Sequence, residues 1–320
     1  MRVLVTGAGG FVGGHLLGRL AAAGFAVRAQ VRTGAVNAPA EVVATGDLAR
    51  YVEASRWQPL LSGVDAVVHL AAVTHAGDVD ESAAWRRYET VNVAVTRALA
   101  CAARAAGVGA FVMMSSVKVC GERSPRTARG WRALSARDTP QPEDNYGRSK
   151  WLAEQALAAC AGDMRTTVLR PPLLYGPGMK GNLPRLFDAI ARRRPLPFAL
   201  IQNQRSLLGV DNLVDAVCHA LRVAPPGVAT YTLSDVDLST PALVRAIGAA
   251  FGVEARLWPC PPSVLRGAGR LLGRGAAVRR LTDSLICERE TIAQRLDWHP
   301  PRDFAEGLAA SAAWYGAARR

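Results

Sequence analysis

The sequence predicts an α/β fold: a doubly wound parallel sheet followed by a smaller C-terminal α/β lobe. Three observations predict it. Short Val/Ala/Leu-rich runs alternate with stretches of helical length through the first two-thirds of the 320-residue chain. A glycine-rich turn directly follows the first of those runs. After Pro171 the alternation loosens into segments punctuated by Pro and Gly. Strands covered by helices on both faces read as continuous apolar runs, and strand–helix alternation places them in one parallel sheet.

The strands are assigned in order to Arg2–Thr6 (core Val3–Val5), Val27–Val31, Ala66–Leu70, Ala110–Met114 and Thr167–Leu169, each bounded by turn residues. Between them Phe11–Ala23, Ala83–Ala106 and Tyr146–Ala161 have helical length and high helix propensity. Beyond Pro171, helices are expected at Leu183–Arg193, Asp211–Val223, Thr240–Phe251 and Phe304–Ala317. Thr240 reads as an N-cap, with Pro241 at the first helical position. The division is residues 1–170 for a dinucleotide-binding domain and 171–320 for a substrate-binding lobe. That lobe is expected to close over the C-terminal edge of the sheet.

Half of the residues are hydrophobic and 20% are charged, a globular composition. There is no apolar run long enough for a membrane span, and the N-terminus lacks the regions of a signal peptide. Six cysteines, at 101, 120, 160, 218, 260 and 287, have no metal-ligand spacing. They read as reduced thiols of a cytoplasmic protein, and no metal is expected. The net charge is +13, carried almost wholly by arginine, since lysine occurs only at 118, 150 and 180. A compositional habit explains this; attraction to an anionic substrate or to an acidic membrane surface is the functional alternative. No nucleic-acid motif accompanies the charge, so no nucleic-acid partner is expected.

Thr6-Gly7-Ala8-Gly9-Gly10-Phe11-Val12-Gly13 lies between a strand and a helix. Gly7, Gly10 and Gly13 allow a tight turn and close approach to a pyrophosphate, and the helix N-terminus offers unpaired N–H groups. NAD enzymes commonly place an acid at the end of the second strand for the ribose 2′-hydroxyl. Here no acid precedes Glu41; the strand runs out at Arg32, which, with Arg28, can pair with a 2′-phosphate. The alternative is a solvated arginine. NADP(H) is therefore the expected cofactor, with NAD(H) second. Asp47, followed by Leu48, can accept from an adenine amino group or serve as a turn aspartate. Tyr146 and Lys150 stand at i and i+4, on one helix face. A lysine ammonium beside the phenol is expected to lower its pKa. Ser115-Ser116 ends a strand some 30 residues upstream, where a doubly wound sheet binds ligands. The catalytic group is thus Ser116, Tyr146 and Lys150.

These stretches, together with His69-Leu70-Ala71-Ala72, Asn92, Ser115–Gly121 and Arg170–Gly178, resemble the extended short-chain dehydrogenases of the nucleotide-sugar epimerase/dehydratase/reductase superfamily. The resemblance implies a Rossmann-type fold, with Leu70, Ala71, Ala72, Asn92 and Pro172 also against the cofactor. It further implies a homodimer through the helices at 83–106 and 146–161. By its own chemistry Asn92 can hold a water, orient Lys150 or be satisfied locally. Cys120 departs from the family's tyrosine. Ser115–Glu122, Gly178–Asn182 and Asn203–Leu207 resemble bacterial UDP-sugar 4-keto reductases of surface-polysaccharide synthesis. That resemblance implies substrate contacts from Lys118, Asn182 and Arg205, the last two on the UDP diphosphate. The leading expectation is NADPH-dependent reduction of the C4 ketone of a UDP-2-acetamido-2,6-dideoxy-4-hexulose. A UDP-sugar 4-epimerase with tightly held NAD is the second. A non-catalytic NADP sensor is the third, and the intact Ser/Tyr/Lys group argues against it. A 4,6-dehydratase would need carboxylates where Val117 and Lys118 stand.

Overall fold

A computed structural model describes residues 1–75, 80–128 and 130–317. The strands are β1 (Arg2–Thr6), β2 (Ala26–Val31), β3 (Glu41–Ala44), β4 (Ala66–His69), β5 (Ala110–Met114), β6 (Arg126–Thr127), β7 (Gly130–Trp131), β8 (Arg165–Arg170), β9 (Leu173–Tyr175), β10 (Arg205–Gly209), β11 (Val228–Thr232) and β12 (Val236–Leu238). Seven form one sheet in the order β11-β8-β5-β4-β1-β2-β3, every pairing parallel. The order reverses between β1 and β4, where Thr6 and His69 are register partners. Open α/β sheets bind ligands in the crevice at that reversal, and both halves of the site lie there.

The helices are α1 (Phe11–Ala22), α2 (Gln58–Leu61), α3 (Glu81–Tyr88), α4 (Val95–Ala105), α5 (Asn145–Ala161), α6 (Leu183–Ala191), α7 (Val210–Val223), α8 (Thr240–Ala250), α9 (Pro262–Leu271), α10 (Gly275–Thr282), α11 (Glu290–Leu296) and α12 (Phe304–Ala317). Leu16, Leu17 and Leu20 of α1 join Leu213, Val217 and Leu221 of α7 on one face of the sheet. On the other, Val95, Leu99 and Ala103 of α4 meet Ala153 and Leu157 of α5. A separate core under the small sheet β12-β10-β9 gathers Phe187, Val244, Ile247 and Leu308. The chain after residue 170 serves both bodies, because α7, β11 and α11 return to the large sheet.

Three expectations change. The helix at 83–106 is one rod interrupted by a π-helical turn, Glu89–Ala94, which brings Asn92 round to face α5. Ser239, not Thr240, caps α8: its hydroxyl accepts from Ala242 N at 3.2 Å. Thr240 is helical and sends its hydroxyl to Leu281 O at 2.7 Å. The cysteines are not all reduced thiols, since Cys101 on α4 and Cys160 on α5 form a disulfide with their Cα atoms 5.0 Å apart. Spacing could not reveal it: the partners are 59 residues apart and meet only because α4 packs on α5. Cys120, Cys218, Cys260 and Cys287 are free and buried.

Candidate active site

The glycine turn is shaped by what crosses it. A Cβ on Gly7 would lie 2.8 Å from the Ala71 backbone, and one on Gly13 would lie 2.4 Å from Ala8 O. These positions exclude every side chain because backbone fills the space. Gly10 caps α1 without any side-chain hydrogen bond, and no acid stands in the first turn. The helix N-terminus therefore keeps its N–H donors and positive dipole end for an anion. In front of it a hollow of about 310 Å³ is lined by Gly9, Gly10, Phe11, Gly14, His15, Pro177, Gly178 and Lys180. The cradle fits a dinucleotide pyrophosphate.

A residue the sequence reading passed over braces the turn. Gln30, 1% exposed on β2, accepts from Gly7 N at 2.9 Å and donates to Thr45 at 2.8 Å. Its signal was a polar residue inside a covered strand, next to the apolar Ala29 and Val31. His69 does the same for β4: its ring bridges Thr6 at 2.7 Å and Thr96 at 2.9 Å. Burial, aided by the Lys150 charge, lowers its pKa to about 3, so the ring is neutral.

The cofactor-side residues fall into two groups. Arg32 lies one position past β2 and is exposed. Arg28 is not available to a 2′-phosphate: it is 8% exposed, donates to Leu60 O and Ser62 O, and lies 3.0 Å from Glu41. It faces inward because its strand is covered there. The exposed Asp47 accepts from Ala49 N at 3.0 Å and caps a short turn containing Leu48. Phe11 and Val12 open α1; Leu70, Ala71 and Ala72 follow β4; Pro172 is buried after β8. Asn92 is satisfied locally. Its oxygen accepts from Val73 N at 2.8 Å, and its amide donates to Val73 O at 3.0 Å and to Ser149 at 2.9 Å. It ties the segment after β4 to α5, which is a positioning role.

The three catalytic candidates converge where β5 ends and α5 begins. Ser116 follows β5, and Val117 N is held by Pro171 O at 3.0 Å. Lys118 O lies 2.8 Å from where a Cβ on Gly147 would be, so only glycine lets α5 start this close to the Ser116 turn. Asp144 caps α5 by accepting from Gly147 N at 2.7 Å, and one turn of helix carries Tyr146 and Lys150 to the same face.

The electrostatics correct one expectation. Tyr146 is pushed up, not down, chiefly by burial, with the Asp144 charge and Tyr88 adding to it. The Lys150 ammonium bonds Met114 O at 2.7 Å, and burial lowers its pKa to about 8. A half-buried phenol holds its proton, and Lys150, itself pulled down by burial, does not offset this. Tyr146 therefore stays protonated.

Behind this group runs a buried chain that no motif announced. Ser115 donates to Glu154, and Arg170 pairs with the same carboxylate at 2.6 and 3.0 Å. Glu154 and Arg170 are 6% and 3% exposed. Arg170 also donates to Cys120 Sγ at 3.3 Å, so the cysteine in the family's tyrosine position is tied to this pair. Glu154 lies one turn past Lys150, and its charge raises the Lys150 pKa against burial.

On the substrate side, Lys118 is engaged within the chain, 2.6 Å from Glu122 and paired with Asp144; the carboxylates that face it absorb its charge. Asn182 is exposed at the start of α6. Arg205 opens β10, is partly buried, and donates to Asp283 O at 3.2 Å. Burial lowers its pKa despite the nearby Asp283 and Glu122.

A glycine cradle at the reversal of a parallel sheet, next to a Ser/Tyr/Lys group, defines an NAD(P)-dependent enzyme of the extended short-chain dehydrogenase type. The chain belongs to the NAD dependent epimerase/dehydratase family, which it matches over residues 3–231. It is 33% identical to a UDP-glucose 4-epimerase of Vibrio cholerae over 96% of this chain and 93% of that protein. It is 29% identical to a ceramide reductase of Caulobacter vibrioides, over 96% and 88%. Among solved structures, MoeE5 in complex with UDP-glucose and NAD superposes with a TM-score of 0.76 at 24% identity, covering both chains in full. A Thermotoga maritima UDP-glucose 4-epimerase with UDP-glucose does so at 0.78 and 19%, also over both full chains. At these identities the structures speak for the fold.

Proposed function

We propose that the protein reduces the C4 ketone of a UDP-2-acetamido-2,6-dideoxy-4-hexulose, with NADPH preferred over NADH. The observation that carries the cofactor choice is Arg32, exposed just beyond β2 where no acid stands. A guanidinium there suits a 2′-phosphate, and nothing there captures a free 2′-hydroxyl. The bound nicotinamide supplies a hydride to C4. The rest falls to the chain's own groups. Gly7, Gly10 and Gly13 admit the pyrophosphate to the α1 N-terminus. Ser116 donates a hydrogen bond to the C4 oxygen. Tyr146, kept protonated by burial, gives that oxygen its proton, so the ketone ends as an alcohol. Lys150 holds the nicotinamide ribose, and Arg205 with Asn182 takes the diphosphate.

A second reading, a UDP-sugar 4-epimerase with tightly held NAD, draws on the 33% identical Vibrio cholerae relative. One experiment separates the two: kcat/KM for NADPH and NADH in wild type and Arg32→Ala, with mass spectrometry of products from a panel of UDP-4-keto sugars. Loss of one charge-assisted contact is expected to weaken NADPH by about tenfold or more and to leave NADH almost untouched. Equal loss for both cofactors refutes the role of Arg32. Stoichiometric NAD in the purified wild type moves the assignment to the epimerase.

A further inference from the structure

Among the described residues no helix is long and apolar enough to cross a membrane, yet α9 and α10 form a hairpin that is apolar at its tip and cationic around it. Leu271 and Leu272, at the turn, are 89% and 72% exposed, and Val264 on α9 is 57% exposed. The hairpin does not need them for its own packing. It closes through Gly269, where a Cβ would lie 2.5 Å from Val278 Cγ2. From residue 255 to 282 the chain carries arginines at 256, 266, 270, 274, 279 and 280 and no Asp or Glu. Arg266 pairs with Asp283 at 2.8 Å; Arg270, Arg274, Arg279 and Arg280 are exposed.

We propose that the α9–α10 hairpin docks on an anionic lipid surface, with Leu271 and Leu272 in the boundary between headgroups and acyl chains and the arginines on the headgroup phosphates. Exposed leucines beside arginines are the pattern of an interfacial helix, and the arginines alone would draw it to anionic lipid. A second copy of the chain fits the patch poorly, because it would bring two arginine clusters face to face. A nucleic-acid backbone would satisfy the arginines and leave the leucines without a use.

The placement ties docking to the cleft. Thr240 and Asn203 both reach Leu281 O, at 2.7 and 3.1 Å, and Arg205 reaches Asp283 O. The end of the hairpin is thus sewn to the start of β10, so docking sets Arg205 and the start of β10 close to the lipid. Lipid binding does not depend on which reaction the site performs.

The test is flotation of the full-length protein with vesicles of phosphatidylcholine alone and of an equimolar mixture with phosphatidylglycerol, at low and high salt. Wild type is expected to float with the mixed vesicles at low salt and to stay below with phosphatidylcholine. Each cation at an anionic surface is worth about fivefold in partition, so Arg270→Glu/Arg274→Glu should lower binding by at least about twentyfold. Leu271→Glu/Leu272→Glu should abolish it. Both variants should keep the wild-type melting temperature and turnover, since the altered side chains face solvent. Failure of wild type to float, or flotation of both variants like wild type, overturns the proposal. So does self-association lost in the leucine variant without any vesicle binding, which would make the patch a contact between copies.

Discussion

Glu154→Gln is the sharpest probe of the buried chain behind the candidate catalytic group. The substitution keeps the shape and one acceptor but removes the charge that Arg170 meets at 2.6 and 3.0 Å. Both side chains are almost wholly withdrawn from water, so the stranded guanidinium has no solvent to turn to. Breaking a buried pair in this way costs about 3–5 kcal/mol. At roughly 2 °C per kcal/mol for a chain of this size, the melting temperature should fall by roughly 6–10 °C. Glu154→Gln/Arg170→Met, which removes the stranded cation as well, should recover much of that loss, because a neutral pair leaves nothing uncompensated. The same change reaches the chemistry. The Glu154 charge raises the Lys150 pKa, which stands at about 8. Without it, Lys150 should lose its proton at lower pH, and the basic limb of kcat/KM should move down the pH axis. Differential scanning calorimetry and a pH–rate profile measure the two effects. A variant as stable as wild type, with an unmoved basic limb, would refute both the energetic weight of the pair and its coupling to Lys150.

Further outcomes follow from the same site. Tyr146→Phe should lose about 10²–10⁴-fold in turnover while binding cofactor as before, read by stopped-flow rates beside cofactor titration; near-normal turnover would end its role as the acid. Arg205→Ala should raise KM for the UDP-sugar far more than for NADPH, since a hydrogen bond to a charged group is worth about 1.5–3 kcal/mol; two unchanged KM values would remove Arg205 from the diphosphate. His69 should make the fold acid-labile. Its pKa is 6.5 unfolded and about 3 folded. The unfolded chain therefore takes up the extra proton between those values, and the contribution of His69 to stability falls by about 1.4 kcal/mol per pH unit below 6.5. Urea melts at several pH values should show a slope in wild type that is smaller by this amount in His69→Gln; an equal slope in both would place the acid sensitivity elsewhere.

Much of the fold and part of the candidate site are legible in the sequence because they rest on local rules. Apolar runs of strand length, the glycines at 7, 10 and 13, and the four-residue step from Tyr146 to Lys150 each act within a single strand, turn or helix. The strand Thr167–Leu169 and the helix Tyr146–Ala161 lie where their side-chain patterns place them, for the same reason. What only the tertiary structure decided is set by contacts between segments distant in sequence. Cys101 meets Cys160 because two helices pack. Arg28 turns inward because the C-terminal end of α2 supplies Leu60 O and Ser62 O. Lys118 is engaged because Asp144 arrives 26 residues later. The Tyr146 phenol is driven up because the folded chain half-buries it and sets the Asp144 charge beside it. A motif states which groups are present and in what local geometry; desolvation and partnering, which decide charge and availability, depend on what the rest of the chain lays over them.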